Sequence, residues 1–73
     1  MFRLEAPKEQ FERLKEEFKD LYKRTYGREI SDEELLEVLD GKKEIIPMTY
    51  NIAKALEELA DVYWRLRAMG IKL

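Results

Sequence analysis

The sequence predicts an all-α fold: a small three-helix domain, ordered long, short, long and packed as a dimer. Two long stretches carry apolar residues at helical spacing, and a Ser-Asp-Glu-Glu motif starts a short helix between them. The predicted helices cover residues 7–26, 32–40 and 48–69. With 73 residues and no internal repeat or linker, the chain forms one domain, residues 1–73. A core of this size is marginal alone, which favours a dimer.

Helix 1 has a recognisable start and end. Pro7 suits the first turn of a helix, and Gly27 suits the left-handed residue that closes one. At 100° per residue, the less polar residues between them fill an arc of roughly 140°. They are Phe11, Leu14, Phe18, Leu21, Tyr22, Thr25 and Tyr26. This pattern is typical of an amphipathic helix that buries one face.

Helix 2 is short and has local signals at both ends. Ser31 followed by Glu34 predicts a capping box, and Ile30 with Leu35 predicts a hydrophobic staple. Gly41 is expected to stop the helix. The residues expected to face inward are Leu35, Leu36, Val38 and Leu39.

The connection between helices 2 and 3 is unusually apolar. Ile46 precedes Pro47, which favours an extended backbone. Ile45, Ile46 and Met48 are too apolar for a solvated loop, so we expect them to cap the open end of the bundle. The alternative is that they extend a binding surface.

Helix 3 has an apolar arc that is wide for a small bundle. Gly70 is expected to close the helix, and Ile71 to pack back against it. The arc spans roughly 220° at 100° per residue, whereas a helix packed on two neighbours usually shows a narrower stripe. The polar strip contains only Lys54, Glu57, Glu58, Asp61 and Arg65. Helix 3 therefore has more apolar surface than helices 1 and 2 can cover.

The excess surface of helix 3 predicts a homodimer interface. Small residues let a second helix approach closely, and Trp and Arg are frequent interface hot spots. The residues expected at the interface are Ala53, Ala60, Val62, Trp64, Arg67 and Met69. Arg67 either extends its head to water at the helix end or pairs with an acidic residue of a second chain. Tyr63 is expected in the intrachain core.

Catalytic and metal chemistry is disfavoured by the residue types. The chain has no Cys and no His, which makes a zinc site unlikely. Its single Ser is better used as the cap of helix 2, and there is no Gly-rich phosphate loop. Glu57, Glu58 and Asp61 fit a solvated helix face better than a metal patch. We expect no enzymatic activity, no cofactor and no metal.

Both long helices have locally basic C-terminal ends. The residues that would contact nucleic acid are Lys23, Arg24, Arg28, Arg65 and Lys72. Cations at these positions complement the helix dipole without any ligand. An acidic helix 2 and a long connection before helix 3 are atypical of DNA-binding motifs, so nucleic acid is not the expected partner. A dimeric DNA-binding transcriptional regulator is the alternative function.

The composition bears on origin and location. Charged residues make up 41% of the chain, at net charge −2, which resembles thermophile proteins. Designed proteins share this bias, so a de novo helical protein without biological function is a second alternative. No apolar run approaches the roughly 20 residues of a membrane span. Without a signal-peptide pattern near the N-terminus, we expect a cytoplasmic protein and no membrane partner.

The segment FKDLYKRTYGREISDEE, Phe18–Glu34, resembles small uncharacterised helical proteins of plasmids and phages. These proteins have a helix ending in Tyr-Gly, followed by a short helix that begins with a similar Glu-Ile-Ser-Asp-Glu-Glu run. The resemblance implies a mobile-element setting and no activity. The sequence thus predicts an interaction module that self-associates through helix 3. We expect it to act as an adaptor, inhibitor or small regulator in a thermophile or mobile element. Its first expected partner is a second copy of the chain, and the other partner considered is a different protein.

Overall fold

The computed structural model describes residues 6–71, which form three α-helices and no strand. They are α1 (Pro7–Tyr26), α2 (Asp32–Leu39) and α3 (Tyr50–Ala68). The two long helices, α1 and α3, pack against each other. The all-α fold with the order long, short, long is therefore confirmed.

The N-terminus of α3 lies two residues later than predicted. Thr49 has an extended backbone, and its Oγ1 accepts a hydrogen bond from the Ile52 N–H at 3.2 Å. This is the geometry of an N-cap residue, so Met48 lies outside the helix. The bounds of α1 match the prediction, and α2 and α3 each end one residue earlier than predicted. Such one-residue differences are common at helix ends.

The start of α2 is fixed by the predicted cap. Ser31 Oγ accepts a hydrogen bond from the Glu34 N–H at 3.1 Å. The Glu34 carboxylate contacts Arg28 at 3.3 Å and Lys43 at 3.2 Å. Hydrogen bonds from these two cations lower the pKa of Glu34. Arg28 precedes α2 and Lys43 follows it, so one carboxylate links the two segments that flank the short helix.

The C-terminus of α3 closes as predicted. Gly70 takes a left-handed φ of 79° and donates its N–H to the Arg67 carbonyl at 3.0 Å. The Ile71 N–H donates to the Leu66 carbonyl at 3.0 Å, and its side chain packs against the core. These paired hydrogen bonds are those of a Schellman motif.

The core lies between the three helices and consists of apolar and aromatic side chains. Its buried members are Phe11, Phe18, Tyr22, Ile30, Leu35, Leu39, Ile52, Leu59, Val62, Tyr63 and Leu66. The predicted staple residues and Tyr63 are among them. Within residues 6–71, no buried side-chain nitrogen or oxygen lacks a hydrogen-bond partner. The folded chain therefore carries no unsatisfied polar group there that would destabilise this small core.

The apolar connection does not cap the bundle as expected. Ile45 packs against the core, but Ile46 and Met48 are exposed. The reason is a hydrogen-bond pair from α1: the Tyr26 phenol donates to the Ile46 carbonyl at 2.7 Å and accepts from the Met48 N–H at 3.2 Å. Tyr26 thus holds the backbone of the connection, while the side chains of Ile46 and Met48 are exposed to solvent. The expectation was wrong for Ile46 and Met48.

Candidate interaction surface

The buried side of α3 is narrower than the apolar arc that the sequence predicts. Its buried residues are Ile52, Leu59, Val62, Tyr63 and Leu66. At 100° per residue they fall within an arc of about 100°. That width is ordinary for a helix packed on one side against a core. The other apolar residues of α3 therefore lie beside or outside the region that α1 and α2 cover.

An outer face of α3 is formed by residues spaced three or four apart. We define it by Tyr50, Ala53, Glu57, Ala60 and Trp64, which lie within about 80° of helix circumference. Tyr50 is 76% exposed and Trp64 is 49% exposed. Ala53 and Ala60 are half-buried. Two exposed aromatics therefore stand at opposite ends of a face that is otherwise built largely from small side chains.

The Trp64 indole is positioned by its own chain. It stacks edge-on against Tyr63, with ring centroids 5.6 Å apart and ring planes at 80°. The Arg67 guanidinium lies 5.1 Å from the centre of the Trp64 ring. Arg67 is held by an ion pair with Asp40 at 2.6 Å. Such contacts restrict the indole before any partner binds, which lowers the entropic cost of association.

Arg67 belongs to an intrachain cluster at the end of α2. Asp40 Oδ1 accepts hydrogen bonds from Arg67 and, at 2.5 Å, from the Tyr63 hydroxyl. Burial raises the pKa of Tyr63, and so does its hydrogen bond to Asp40. The acidic partner of Arg67 is therefore in its own chain, rather than in a second chain as one sequence expectation had it. The cluster joins α2 to α3 and supports Trp64.

The structure separates the residues expected at the interface. Ala53, Ala60 and Trp64 share the outer face. Val62 is buried in the core, so it is unavailable to a partner. Met69 is exposed but lies about 140° around the helix from Trp64.

Tyr50 was missed by the sequence reasoning, although its spacing from Ala53 places it on the outer face. The aromatic residue expected at the interface was Trp64, near the C-terminal end of helix 3, and the same spacing also reaches Tyr50 in the first turn. Tyr50 is the first residue of α3 and, as an exposed aromatic, a typical interface residue.

A shallow depression of about 430 Å³ opens on α3 at the Tyr50 end of the outer face. Its lining residues are Tyr50, Ala53, Lys54, Glu57, Glu58 and Asp61. Ala53 is the smallest of them, and it leaves space between Tyr50 and Glu57. The depression thus extends from one end of the outer face onto the polar strip of α3, and the half-exposed indole lies at the other end of the outer face.

The basic residues considered for nucleic acid are already paired with carboxylates. The pairs are Lys23–Glu29 at 3.3 Å, Arg24–Asp20 at 2.7 Å, Arg28–Glu34 at 3.3 Å and Arg65–Asp61 at 3.2 Å. Lys72 lies outside the described residues. A phosphate at any of the four described cations would compete with a neighbouring acidic side chain. This arrangement weakens the attraction that nucleic-acid binding requires.

Acidic clusters and long apolar helices would mark two other kinds of site within residues 6–71. No group of three or more acidic side chains in this range is arranged to hold a metal ion. None of the three helices combines the length and apolar character needed to cross a bilayer.

No protein-family model, curated protein or solved structure is significantly similar to the chain. The resemblance of Phe18–Glu34 to small plasmid and phage proteins stays a prediction.

Proposed function

We propose that the chain is a small protein-interaction module that forms a homodimer through the outer face of α3. The half-exposed position of Trp64 supports this proposal most strongly. Burial of a large aromatic ring contributes more to association than burial of most other side chains, and Trp is the residue type most enriched at hot spots. Ala53 and Ala60 on the same face allow a second helix to approach closely.

The size of the domain gives the proposal a thermodynamic reason. A chain of 73 residues buries a smaller fraction of its surface than larger domains do, so its stability alone is marginal. A second copy on the outer face would remove further apolar surface from water, at roughly 25 cal/mol per Å² of apolar area. Self-association would therefore stabilise the fold as well as create the functional unit.

We further propose a cytoplasmic role as an adaptor, inhibitor or small regulator in a thermophile or mobile element. Such a role needs no cofactor, metal or catalytic group. Ser31, the only Ser of the chain, accepts the cap hydrogen bond of α2 and is thereby committed to structure. A dimeric DNA-binding regulator is less well supported because its candidate cations are paired within the chain.

The experiment that tests the proposal is a mass measurement of the native chain by light scattering. At about tens of micromolar we expect twice the mass of one chain. The mass of a single chain up to millimolar concentration would contradict the proposal. A titration with duplex DNA at two salt concentrations separates the alternative, since binding that weakens steeply with salt would favour the regulator.

A further inference from the structure

We infer that the two copies pair in antiparallel orientation, with Trp64 of each copy seated in the depression beside Ala53 of the other. This inference rests on the proposed homodimer and adds its geometry. The partner is a second copy of this chain, because one outer face carries both complementary features: a half-exposed indole and a depression bordered by Tyr50 and Glu57.

The positions of these two features determine the orientation. Ala53 and Trp64 lie within about 20° of each other around α3 and about 16 Å apart along it. A two-fold axis perpendicular to α3, level with the bond between Glu58 and Leu59, exchanges them. Each indole then meets the depression of the other copy. A parallel pair would instead place Trp64 against Trp64 and leave the two depressions facing each other, so neither depression would hold an indole.

The small side chain of Ala53 makes this contact feasible. An alanine lets the indole of a second copy approach the backbone of α3, and Tyr50 supplies an aromatic wall one turn away. In the antiparallel pair, Tyr50 of one copy also lies level with Arg67 of the other, the residue that braces Trp64. The indole is thus held from its own chain on one side and covered by the second copy on the other.

Charges at the edge of the outer face favour the same orientation. Lys54 and Asp61 lie on one edge, about 20° apart around α3. Antiparallel pairing brings Lys54 of one copy to within about 3 Å of the level of Asp61 of the other. In a parallel two-fold pair, these residues of the two copies would lie on opposite edges of the interface, so neither charge would meet its opposite. Asp61 is already paired with Arg65, which lies farther round the helix. These edge pairs set orientation more than affinity.

Spin-label distances test the orientation directly. The chain has no Cys, so Asn51→Cys and Met69→Cys each introduce a single labelling site. Both residues are exposed and lie away from the outer face, at opposite ends of α3. In an antiparallel dimer, labels at 51 and 69 of different copies are about 5 Å apart along the helix axes, and two labels at 51 are about 22 Å apart. A parallel dimer has two 51 labels level with each other and a 51–69 offset of about 27 Å.

Charge reversal gives an independent readout. Lys54→Glu and Asp61→Lys should each weaken association, whereas the double variant Lys54→Glu/Asp61→Lys should restore it because the pair is rebuilt with opposite signs. Circular dichroism of each variant checks that α3 remains folded. A double variant that associates no better than either single variant would overturn the antiparallel pairing.

The outcomes separate the inference from the proposed function. A dimer that Trp64→Ala weakens, with the short distance between 51 and 69, supports both. A dimer that Trp64→Ala weakens, with the short distance between two 51 labels, overturns the inference and leaves the proposed function standing. A native monomer, or a dimer that Trp64→Ala leaves unchanged, overturns both.

Discussion

Tyr63 and Trp64 are neighbours in the sequence and have opposite surroundings. Tyr63 is 5% exposed, lies 6.0 Å from the Phe11 ring and hydrogen-bonds to Asp40. Trp64, rotated by about 100° on the same helix, is 49% exposed. The inner face of α3 therefore contributes to the core, while the outer face carries an aromatic ring that the protomer leaves half exposed. The difference assigns fold stability to the inner face of α3 and leaves the outer face as the surface of the proposed association.

The largest effect is expected on the inner face. Tyr63→Ala should lower the free energy of unfolding by about 2–5 kcal/mol, because it leaves a cavity in the core. It also removes the hydrogen bond to Asp40. Denaturant unfolding should show this loss at every protein concentration. Tyr50→Ala is the matched control: it deletes an exposed tyrosine from the same helix and should leave unfolding at low concentration nearly unchanged. Equal losses for the two variants would contradict the assignment of the faces.

On the outer face, Trp64→Ala should weaken association by about 2 kcal/mol, or roughly thirtyfold in dissociation constant. The stability of the protomer should change much less, since the indole is half exposed. Sedimentation equilibrium measures the dissociation constant. Ile46→Ala, which trims an exposed apolar residue of the connection, is the control and should leave association intact. If Ile46→Ala weakens the dimer and Trp64→Ala does not, the interface lies at the connection.

A smaller loss of stability is expected from a change at the start of α2, which lies on neither the inner nor the outer face of α3. Ser31→Ala removes the acceptor of the Glu34 N–H and should cost about 0.5–2 kcal/mol of stability. The dissociation constant should not change, because Ser31 is not part of the outer face. Thermal unfolding of the native chain and of the Ser31→Ala variant provides the test. An unaltered melting temperature would show that the cap does not stabilise α2.

Glu57 offers a way to sharpen the definition of the outer face. In the proposed antiparallel dimer the two-fold axis would pass close to Glu57, so both copies would bring a carboxylate near the centre of the interface, where like charges repel. Glu57→Gln should tighten association by about two- to fivefold, within the range of exposed charge interactions. Glu37→Gln makes the same charge change at an exposed residue of α2, away from the outer face, and should have no effect. Identical responses would indicate that only the net charge matters.

The smallest effect concerns the ion pairs between α1 and α2. A hydrogen bond from Lys19 at 2.8 Å lowers the pKa of Asp32. Because the folded pKa lies below the unfolded value, the stabilisation is present above about pH 4 and is lost as pH falls through the folded pKa. Asp32→Asn should therefore flatten the decline of stability in acid. Unfolding curves of both proteins at several pH values measure this difference. If the free energy of unfolding falls equally steeply in acid for both, the Asp32–Lys19 pair does not have this role.

The ends of the helices could be predicted because the decisive contacts are local. The roles of Pro7, Gly27 and Ser31 depend on neighbours within a few residues, so α1 matches its predicted bounds and α2 starts where its cap predicts. The staple residues Ile30 and Leu35 are both buried for the same reason. Local hydrogen-bonding rules were sufficient for these features.

The contacts that could not be predicted are distant in sequence. Tyr26 fixes the connection through the backbone at Ile46, twenty positions away, and Arg67 finds Asp40 at a separation of 27. Helical periodicity placed Val62 and Trp64 on different sides of α3, but only the positions of α1 and α2 decide which side is covered. For this reason, Val62 was expected at the interface and lies in the core.

Fluorescence of Trp64 provides the most direct test of the central claim. It is the only Trp of the chain, so its emission reports on the outer face alone. At tens of micromolar, where the dimer is expected, the Trp64 emission maximum should lie at shorter wavelength than that of a solvent-exposed indole. On dilution it should move to longer wavelength over the concentrations at which the mass halves, with far-ultraviolet circular dichroism unchanged. Emission that stays constant while the mass halves would place the interface elsewhere and contradict the account.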